Sequence, residues 1–385
     1  MYPIKKLQDC ATIIAGQSPE SKYYNSTGEG IPFFQGKADF GELYPKVRVY
    51  CSSPTKIAQY NDILLSVRAP VGPTNLSPGT VCIGRGLAAI RPDDSLDLKY
   101  LLYYFRYFET QLSAKGTGTT FKAINQKLIK NLEIPIPPLN EQSRIVARIE
   151  ELFSELDKAV DTLKTTKEQL EVYRQAVLKE IFDSVSTTSV HIKDVCLDIK
   201  VGIVIKPTQY YVSENGVPAF RNANVRRGYI NDTDWVMISK EGHQQNCRSE
   251  VHTNDVLISR SGANLGMASV VPARYNGYNA IDVVIAVPDI SKVIPEFLEK
   301  YTNSPMGRAI VKKNERGAAQ GHLNVSAYAN LPIGVPDLQE QEKLVKQISD
   351  RLSVCDSIEK TVDTALAQAD AMRQSILKQA FEGTL

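Results

Sequence analysis

The side chains that could hold a soft metal or serve as nucleophile and base are few. Six cysteines (Cys10, Cys51, Cys82, Cys196, Cys247 and Cys355) and four histidines (His191, His243, His252 and His322) are scattered along the chain. They form no CxxC pair and no HExxH, so neither a zinc site nor any other metal site is expected. Two glycine-bearing stretches could cradle phosphate. Gly30…Gly36-Lys37 has one residue too many for a phosphate loop and runs into Ala38. Gly116-Thr117-Gly118-Thr119-Thr120-Phe121 lacks the third glycine of a dinucleotide loop and follows a helical pattern ending at Lys115, not a strand. There is no N/D-P-P-Y/F motif of an amino-methyltransferase, no GxSxG, and no D…ExK nuclease pattern. The carboxylates lie mainly on helical stretches, where they read as solvated faces. No catalytic residue is expected. The chain reads as a binder, and the elements that would hold its binding loops come next.

The chain has 385 residues, 45 Lys+Arg against 43 Asp+Glu, a net charge of +2 and 43% hydrophobic residues. That is ordinary globular composition. It excludes a collagenous chain, a long disordered tail and a disulfide-dense mini-protein, and it leaves room for two or three domains. No apolar run of about 18 residues occurs, so no membrane span is expected. Met1-Tyr2-Pro3-Ile4-Lys5-Lys6 has no apolar core of a signal peptide. Unpaired thiols suit a reducing cytoplasm.

Internal repetition is the most informative feature. Asn131-Leu132-Glu133-Ile134-Pro135-Ile136-Pro137-Pro138-Leu139-Asn140-Glu141-Gln142 is echoed 199 residues later by Asn330-Leu331-Pro332-Ile333-Gly334-Val335-Pro336-Asp337-Leu338-Gln339-Glu340-Gln341. The same offset carries Ile149 onto Ile348, Arg174-Gln175 onto Arg373-Gln374, and Phe182 onto Phe381. Upstream, the halves agree in patches. Asn61-Asp62-Ile63-Leu64-Leu65-Ser66 resembles Asn254-Asp255-Val256-Leu257-Ile258-Ser259, and Ile31-Pro32-Phe33-Phe34 resembles Val217-Pro218-Ala219-Phe220. The order is variable, constant, variable, constant: residues 1–133, 134–183, 184–332 and 333–385.

Each constant segment predicts a helix of about 40 residues, roughly 60 Å long. Apolar residues recur every three or four positions at Ile145, Ile149, Leu152, Leu156, Leu163 and Leu170. They do so again at Leu344, Ile348, Leu352, Ile358, Val362 and Ile376. Asn140 is expected to cap the first helix and Asp337, with Glu340, the second. One such stripe cannot bury itself. The simplest partner is the other copy, in an antiparallel coiled coil with pseudo-twofold symmetry; homodimerisation through the same stripes is the alternative.

The variable segments are rich in Gly, Pro, Asn, Tyr and Thr. Short β-like runs fall at 47–51, 63–67, 81–83, 256–259, 268–271 and 282–287, with helical stretches near 98–114 and 295–313. Each is expected to be a small α+β domain with long surface loops. Charge also alternates. Residues 1–131 carry 16 basic and 10 acidic residues (+6), 132–183 carry 7 and 11 (−4), 184–330 carry 16 and 13 (+3), and 331–385 carry 6 and 9 (−3). Basic units with amide-rich loops fit nucleic-acid readers separated by acidic helices.

The repeat I-P-I-P-P-L-x-E-Q-x-x-I-V (Ile134 to Val146, echoed at Ile333 to Val345), each followed by a long helix, resembles the specificity subunits of type I restriction–modification systems. Further stretches agree: Asn61 to Arg68 and Asn254 to Ala263, Gly16-Gln17-Ser18-Pro19 with Ile31-Pro32, Gln320 to Asn324, and the ending Ala380-Phe381-Glu382-Gly383-Thr384-Leu385. The second half departs in having Val201-Gly202-Ile203-Val204 and no G-x-[ST]-P.

The resemblance implies an α+β protein in which two tandem target recognition domains, joined by the two helices, each read half of a bipartite site on double-stranded DNA. The helices act as a spacer. Two modification subunits, which carry S-adenosylmethionine and methylate adenine, dock on the chain, and restriction subunits join them. No cofactor is expected on this chain. Candidate DNA-binding residues are Gln35, Lys37, Arg68, Thr119 and Lys122 in the first domain. In the second they are Arg221, Asn222, Asn224, Arg226, Arg260, Asn264 and His322. Arginine can grip guanine with two hydrogen bonds, and Asn or Gln can pair with adenine. Two other readings compete. A single-chain DNA methyltransferase with fused recognition domains would need the methyl-donor loop and N/D-P-P-Y/F, and a coiled-coil scaffold would bind no DNA.

Overall fold

The computed structural model describes residues 2–116, 123–185, 187–309 and 322–385. Two compact units emerge: residues 1–163 with 364–385, and residues 164–363. Each long helix is therefore shared between the units, and each unit is described by itself.

In the first unit an antiparallel sheet runs in the order Ala11–Ala15, Leu87–Pro92, Ile63–Ser66, Thr74–Leu76. Successive strand side chains point to opposite faces. Ile63, Leu65, Ala88 and Ile90 face a core shared with the helix Leu98–Ala114. Leu64, Leu87 and Ala89 face a second core under another sheet. That second sheet has five short strands, in the order Tyr24–Asn25, Val49–Cys51, Ile31–Phe34, Val81–Ile83, Ile57–Ala58. Its central pair is parallel, with Phe33 opposite Cys82. Burial on both faces explains why the strands of the first sheet read as unbroken apolar runs.

The second unit repeats the plan. Its four-stranded sheet is Cys196–Val201, Val283–Pro288, Val256–Ser259, Ala268–Val270. Val256, Ile258, Val284 and Ala286 face the helix Pro295–Asn303, and Leu257, Val283 and Ile285 face the opposite core. A second four-stranded sheet, Tyr211–Val212, Val236–Ile238, Val217–Phe220, Asn279–Ala280, again has one parallel pair. In each unit a two-stranded ribbon leads into a long helix: Ile4–Lys6 with Glu133–Pro135, and Ser189–His191 with Pro332–Gly334.

The long helices are Leu139–Asp183 and Leu338–Glu382, 45 residues each, or about 67 Å at 1.5 Å per residue. The first starts earlier than expected. Asn140 lies inside it, and the Pro138 carbonyl instead accepts from the N–H groups of Glu141 (2.8 Å) and Gln142 (3.0 Å). Asp337 does cap the second: its Oδ1 accepts from the Glu340 N–H at 2.8 Å. Gly383, at φ +75°, ends that helix, and the Thr384 N–H folds back to the Gln379 carbonyl.

Within the first unit Arg373 of the second helix meets Asp157 of the first and lies over the Phe153 ring. In the second unit Lys167 meets Asp363 (2.7 Å), Arg174 meets Asp356 (2.6 Å) and Glu359 (2.9 Å), and Arg351 meets Glu180 (3.0 Å). Numbers rise on one helix as they fall on the other, so the helices run antiparallel. Of the expected stripe, Ile145, Ile149, Leu344, Ile348, Val362 and Ile376 are buried, and Leu152, Leu156, Leu163, Leu170 and Leu352 are half-buried. Ile358 is not on the seam: it is 40% exposed. The seam passes from Cys355 through Glu359 to Val362, and Glu359 is held there by Arg174.

Candidate nucleic-acid interface

The repeated Asn-Asp stretch shapes corresponding loops of both units. Asn61 and Asn254 adopt left-handed backbone (φ +63° and +75°), which asparagine tolerates better than most residues. The next residue closes the turn. Asp62 Oδ2 accepts from the Gln59 N–H, and Asp255 Oδ2 accepts from the His252 N–H, both at 2.8 Å. Strands Ile63–Ser66 and Val256–Ser259 follow. Ser66 Oγ then donates to the carbonyls of Arg68 (3.1 Å) and Pro70 (2.9 Å), fixing the loop that carries Arg68.

In the first unit Arg68 comes together with Gln35 and Lys37 although it lies about thirty residues further along the chain. An open cleft of about 600 Å³ is lined by Tyr24, Phe33, Gln35, Lys37, Asp39 and Arg48. A hollow of about 240 Å³ shares Gln35 and Lys37 and adds Ser66, Arg68 and Arg85. Tyr24 and Phe33 stack at 4.7 Å to make an aromatic wall. The cations differ in their partners. Arg48 is paired with Asp39, which also accepts from the Gln35 N–H at 2.9 Å. Lys37 lies in the field of Glu109, whose carboxyl burial pushes up while Lys37 and Arg106 hold it down. Arg68 and Arg85 are exposed, and among the described residues neither is bonded to a carboxylate. Arg85 was not expected from the sequence; its one signal is the pair of flanking glycines, Gly84 and Gly86, which present it on a turn between two strands. Thr119 and Lys122 lie outside the described residues.

In the second unit the seven candidates separate. Asn222 is a hub: its Nδ2 donates to Ser261 Oγ (2.9 Å), and its Oδ1 accepts from the Arg260 N–H (2.6 Å) and Ser259 Oγ (3.1 Å). Its carbonyl accepts from Asn264 Nδ2 at 3.0 Å. Arg260 is fastened to Asp282 (2.7 Å) and to the Leu323 carbonyl (3.0 Å), while the Leu323 N–H returns to the Arg260 carbonyl (2.9 Å). These bonds anchor the residue next to the exposed His322 on Arg260. Arg221 lies apart, paired with Asp234 at 2.9 Å. Arg226 lines a cavity of about 790 Å³ with Arg174, Arg227, Lys300 and Glu359, against the helix seam. Asn224 serves the scaffold. It is fully buried, its Oδ1 accepts from the Arg221 N–H, and its Nδ2 donates to the Asn231 and Thr233 carbonyls. No base edge can reach it.

Among the described residues no helix is long and apolar enough to cross a membrane.

A sequence profile described as the type I restriction modification DNA specificity domain matches residues 2–172. A putative type I restriction enzyme MjaX specificity subunit of Methanocaldococcus jannaschii is 42% identical over 167 residues, covering 43% of this chain and 38% of its own. The type I restriction enzyme EcoBI specificity subunit of Escherichia coli is 25% identical over 317 residues, covering 76% of this chain and 67% of its own. This chain thus spans well under half of the first relative and about two thirds of the second. A solved chain from work on complex assembly and conformational transition of the type I R-M system superposes over 100% of this chain and 98% of its own, with TM-score 0.73 at 20% identity. It shares the fold.

Proposed function

We propose that the chain is a member of the type I restriction–modification specificity-subunit family and is the part of such a complex that chooses the DNA sequence. Residues 1–133 and 184–332 are the recognition domains, each reading one half of a bipartite double-stranded target. Residues 134–183 and 333–385 are the spacer that sets the gap between the halves. The chain supplies no catalytic group. Two modification subunits, bearing S-adenosylmethionine, dock on it and methylate adenine, restriction subunits join them, and the complex works in the cytoplasm.

One observation carries the assignment of the first reader: Arg68 and Arg85 share a hollow with Gln35, and among the described residues no carboxylate is bonded to either. Like charges held together in a folded protein suit an anionic ligand, and duplex DNA presents a charge about every 1.7 Å. Lys37 and one guanidinium meet phosphate, and Gln35 and the other meet base edges. In the second domain Arg260, Asn264 and His322 are the readers, held in register by Asn222.

The test is binding of the chain together with its modification subunit to a duplex carrying the methylated target. Scrambling either half-site should each weaken binding by about a hundredfold or more, since each mismatched pair costs ~1–3 kcal/mol. Binding that depends on one half alone, or on neither, refutes the bipartite reading.

A further inference from the structure

Two features repeated on the long helices have no part in the DNA-reading surface. One is the glutamine in the first turn of each, Gln142 and Gln341. The other is the phenylalanine near each end, Phe182 and Phe381. Both glutamines are fully buried.

In the first unit Gln142 Oε1 accepts from the Asp97 N–H at 2.7 Å, and its Nε2 donates to the carbonyls of Ser95 (3.0 Å) and Pro137 (2.8 Å). Asp97 is the capping residue of the domain's own helix, Leu98–Ala114. Phe381, from the far end of the other long helix, packs on the same domain helix. Its ring lies 5.3 Å from Tyr100, 5.3 Å from Tyr104 and 5.5 Å from Tyr107.

The second unit builds the same clamp from equivalent residues. Gln341 Oε1 accepts from the Ile294 N–H (2.8 Å), and its Nε2 donates to the carbonyls of Lys292 (2.9 Å) and Pro336 (2.8 Å). Ile294 immediately precedes the domain helix Pro295–Asn303. Phe182 packs on that helix, 5.3 Å from Phe297 and 5.4 Å from Tyr301. Each domain helix is therefore gripped by the start of one long helix and the end of the other.

Apolar packing alone tolerates sliding and turning. A buried amide satisfied by three main-chain partners does not, because any rotation leaves it and them unpaired. We propose that Gln142 and Gln341 are positioning residues. Each locks its recognition domain at one angle on the helices, with Phe381 and Phe182 as backstops, and this lock makes the complex strict about the gap between half-sites. The proposal rests on the bipartite reading above. Adding one base pair to the gap moves a half-site by about 3.4 Å and turns it by about 35°. A locked domain cannot follow that movement, and a loosened one can.

The test uses the full chain assembled with its modification subunit. Methyl transfer from labelled S-adenosylmethionine is measured on duplexes with the native gap, one pair longer and one pair shorter. The wild-type complex should discriminate by about a hundredfold or more. Gln142→Met and Gln341→Met should keep native-gap methylation within about tenfold and reduce the discrimination to about tenfold or less. Phe381→Leu and Phe182→Leu, which leave the amide clamp in place, give a milder series with the same readout, and loss of gap discrimination there counts equally. Methionine variants that assemble and methylate the native target yet keep the wild-type discrimination overturn the proposal and leave the glutamines merely structural. If the methionine variants do not assemble, Gln142→Asn and Gln341→Asn, which keep an amide but hold it one methylene short of its main-chain partners, decide by the same criterion. A wild-type complex that is indifferent to the gap overturns the bipartite reading instead.

Discussion

Asp62 and Asp255 occupy equivalent positions in the two halves, yet the same substitution at each should act in opposite directions. Both are buried and both accept a turn N–H at 2.8 Å. Asp62 also receives the Arg91 fork, Nε to Oδ1 at 2.7 Å and Nη2 to Oδ2 at 2.8 Å. Among the described residues Asp255 has no such partner: the His252 ring stands 4.0 Å away, and burial pushes the carboxyl above its ordinary range against the His252 N–H bond and the Lys200 charge. Asp62→Asn keeps the volume and an acceptor oxygen but loses a charge-assisted fork, a loss of ~1.5–3 kcal/mol for such bonds. Because the Arg91 side chain is 37% exposed, the expected cost is about 2 kcal/mol. For a unit of this size that lowers its melting temperature by about 4–8 °C. Asp255→Asn removes a carboxylate that is ionised at a cost, so at pH 7 it should be neutral or stabilising. The sign is fixed by linkage. A carboxyl raised in the folded state stabilises below its unfolded value of 3.8, and that contribution is lost as pH rises through the folded value. The advantage of D255N should therefore vanish near pH 4 and appear by neutral pH. Calorimetry with hydrogen exchange resolves the two units. A D255N loss matching D62N at pH 7, or no loss for D62N, would refute the reasoning.

Arg68→Ala with Arg85→Ala should flatten the salt dependence of DNA binding by the assembled complex by up to ~0.9 log unit per phosphate contact removed; an unchanged slope would mean neither meets phosphate. Arg260→Ala should alter preference at the second half-site only, and an unchanged recognised sequence would take Arg260 off the DNA. Ile358→Ser should change stability by no more than ~0.5 kcal/mol, whereas Val362→Ala should cost about 1 kcal/mol or more; the reverse order in urea denaturation would put Ile358 back on the seam. Leu156→Pro breaks the first long helix at a cost of ~3 kcal/mol or more and should abolish assembly with the modification subunit, so an intact complex by size-exclusion chromatography would refute the continuous spacer.

Much of the architecture was legible because duplication doubles each signal. The helix Leu98–Ala114 follows from its apolar spacing, and the strand Val81–Ile83 from its β-branched run. The seam was misread at Ile358 because Cys355, Ile358 and Val362 satisfy a three-four spacing as well as Cys355, Glu359 and Val362 do. Only the charges of Arg174 and Lys167 across the pair reveal that a glutamate fills that position. Asn140 looked like a cap, but the proline pair before it already starts the helix. Asn224 was chosen by side-chain type, and type cannot separate a residue facing solvent from one buried and consumed by main-chain partners. The Gln142 clamp was visible as repetition but not as function, since its partners Ser95 and Asp97 lie 47 and 45 residues away in sequence.

The most direct measurement is a genome-wide map of methylated adenine in cells expressing this chain with its modification subunit. The proposed function predicts one bipartite motif, two specified halves separated by unspecified pairs of a single length. A continuous motif, a gap of variable length, or no methylation dependent on the chain would contradict it.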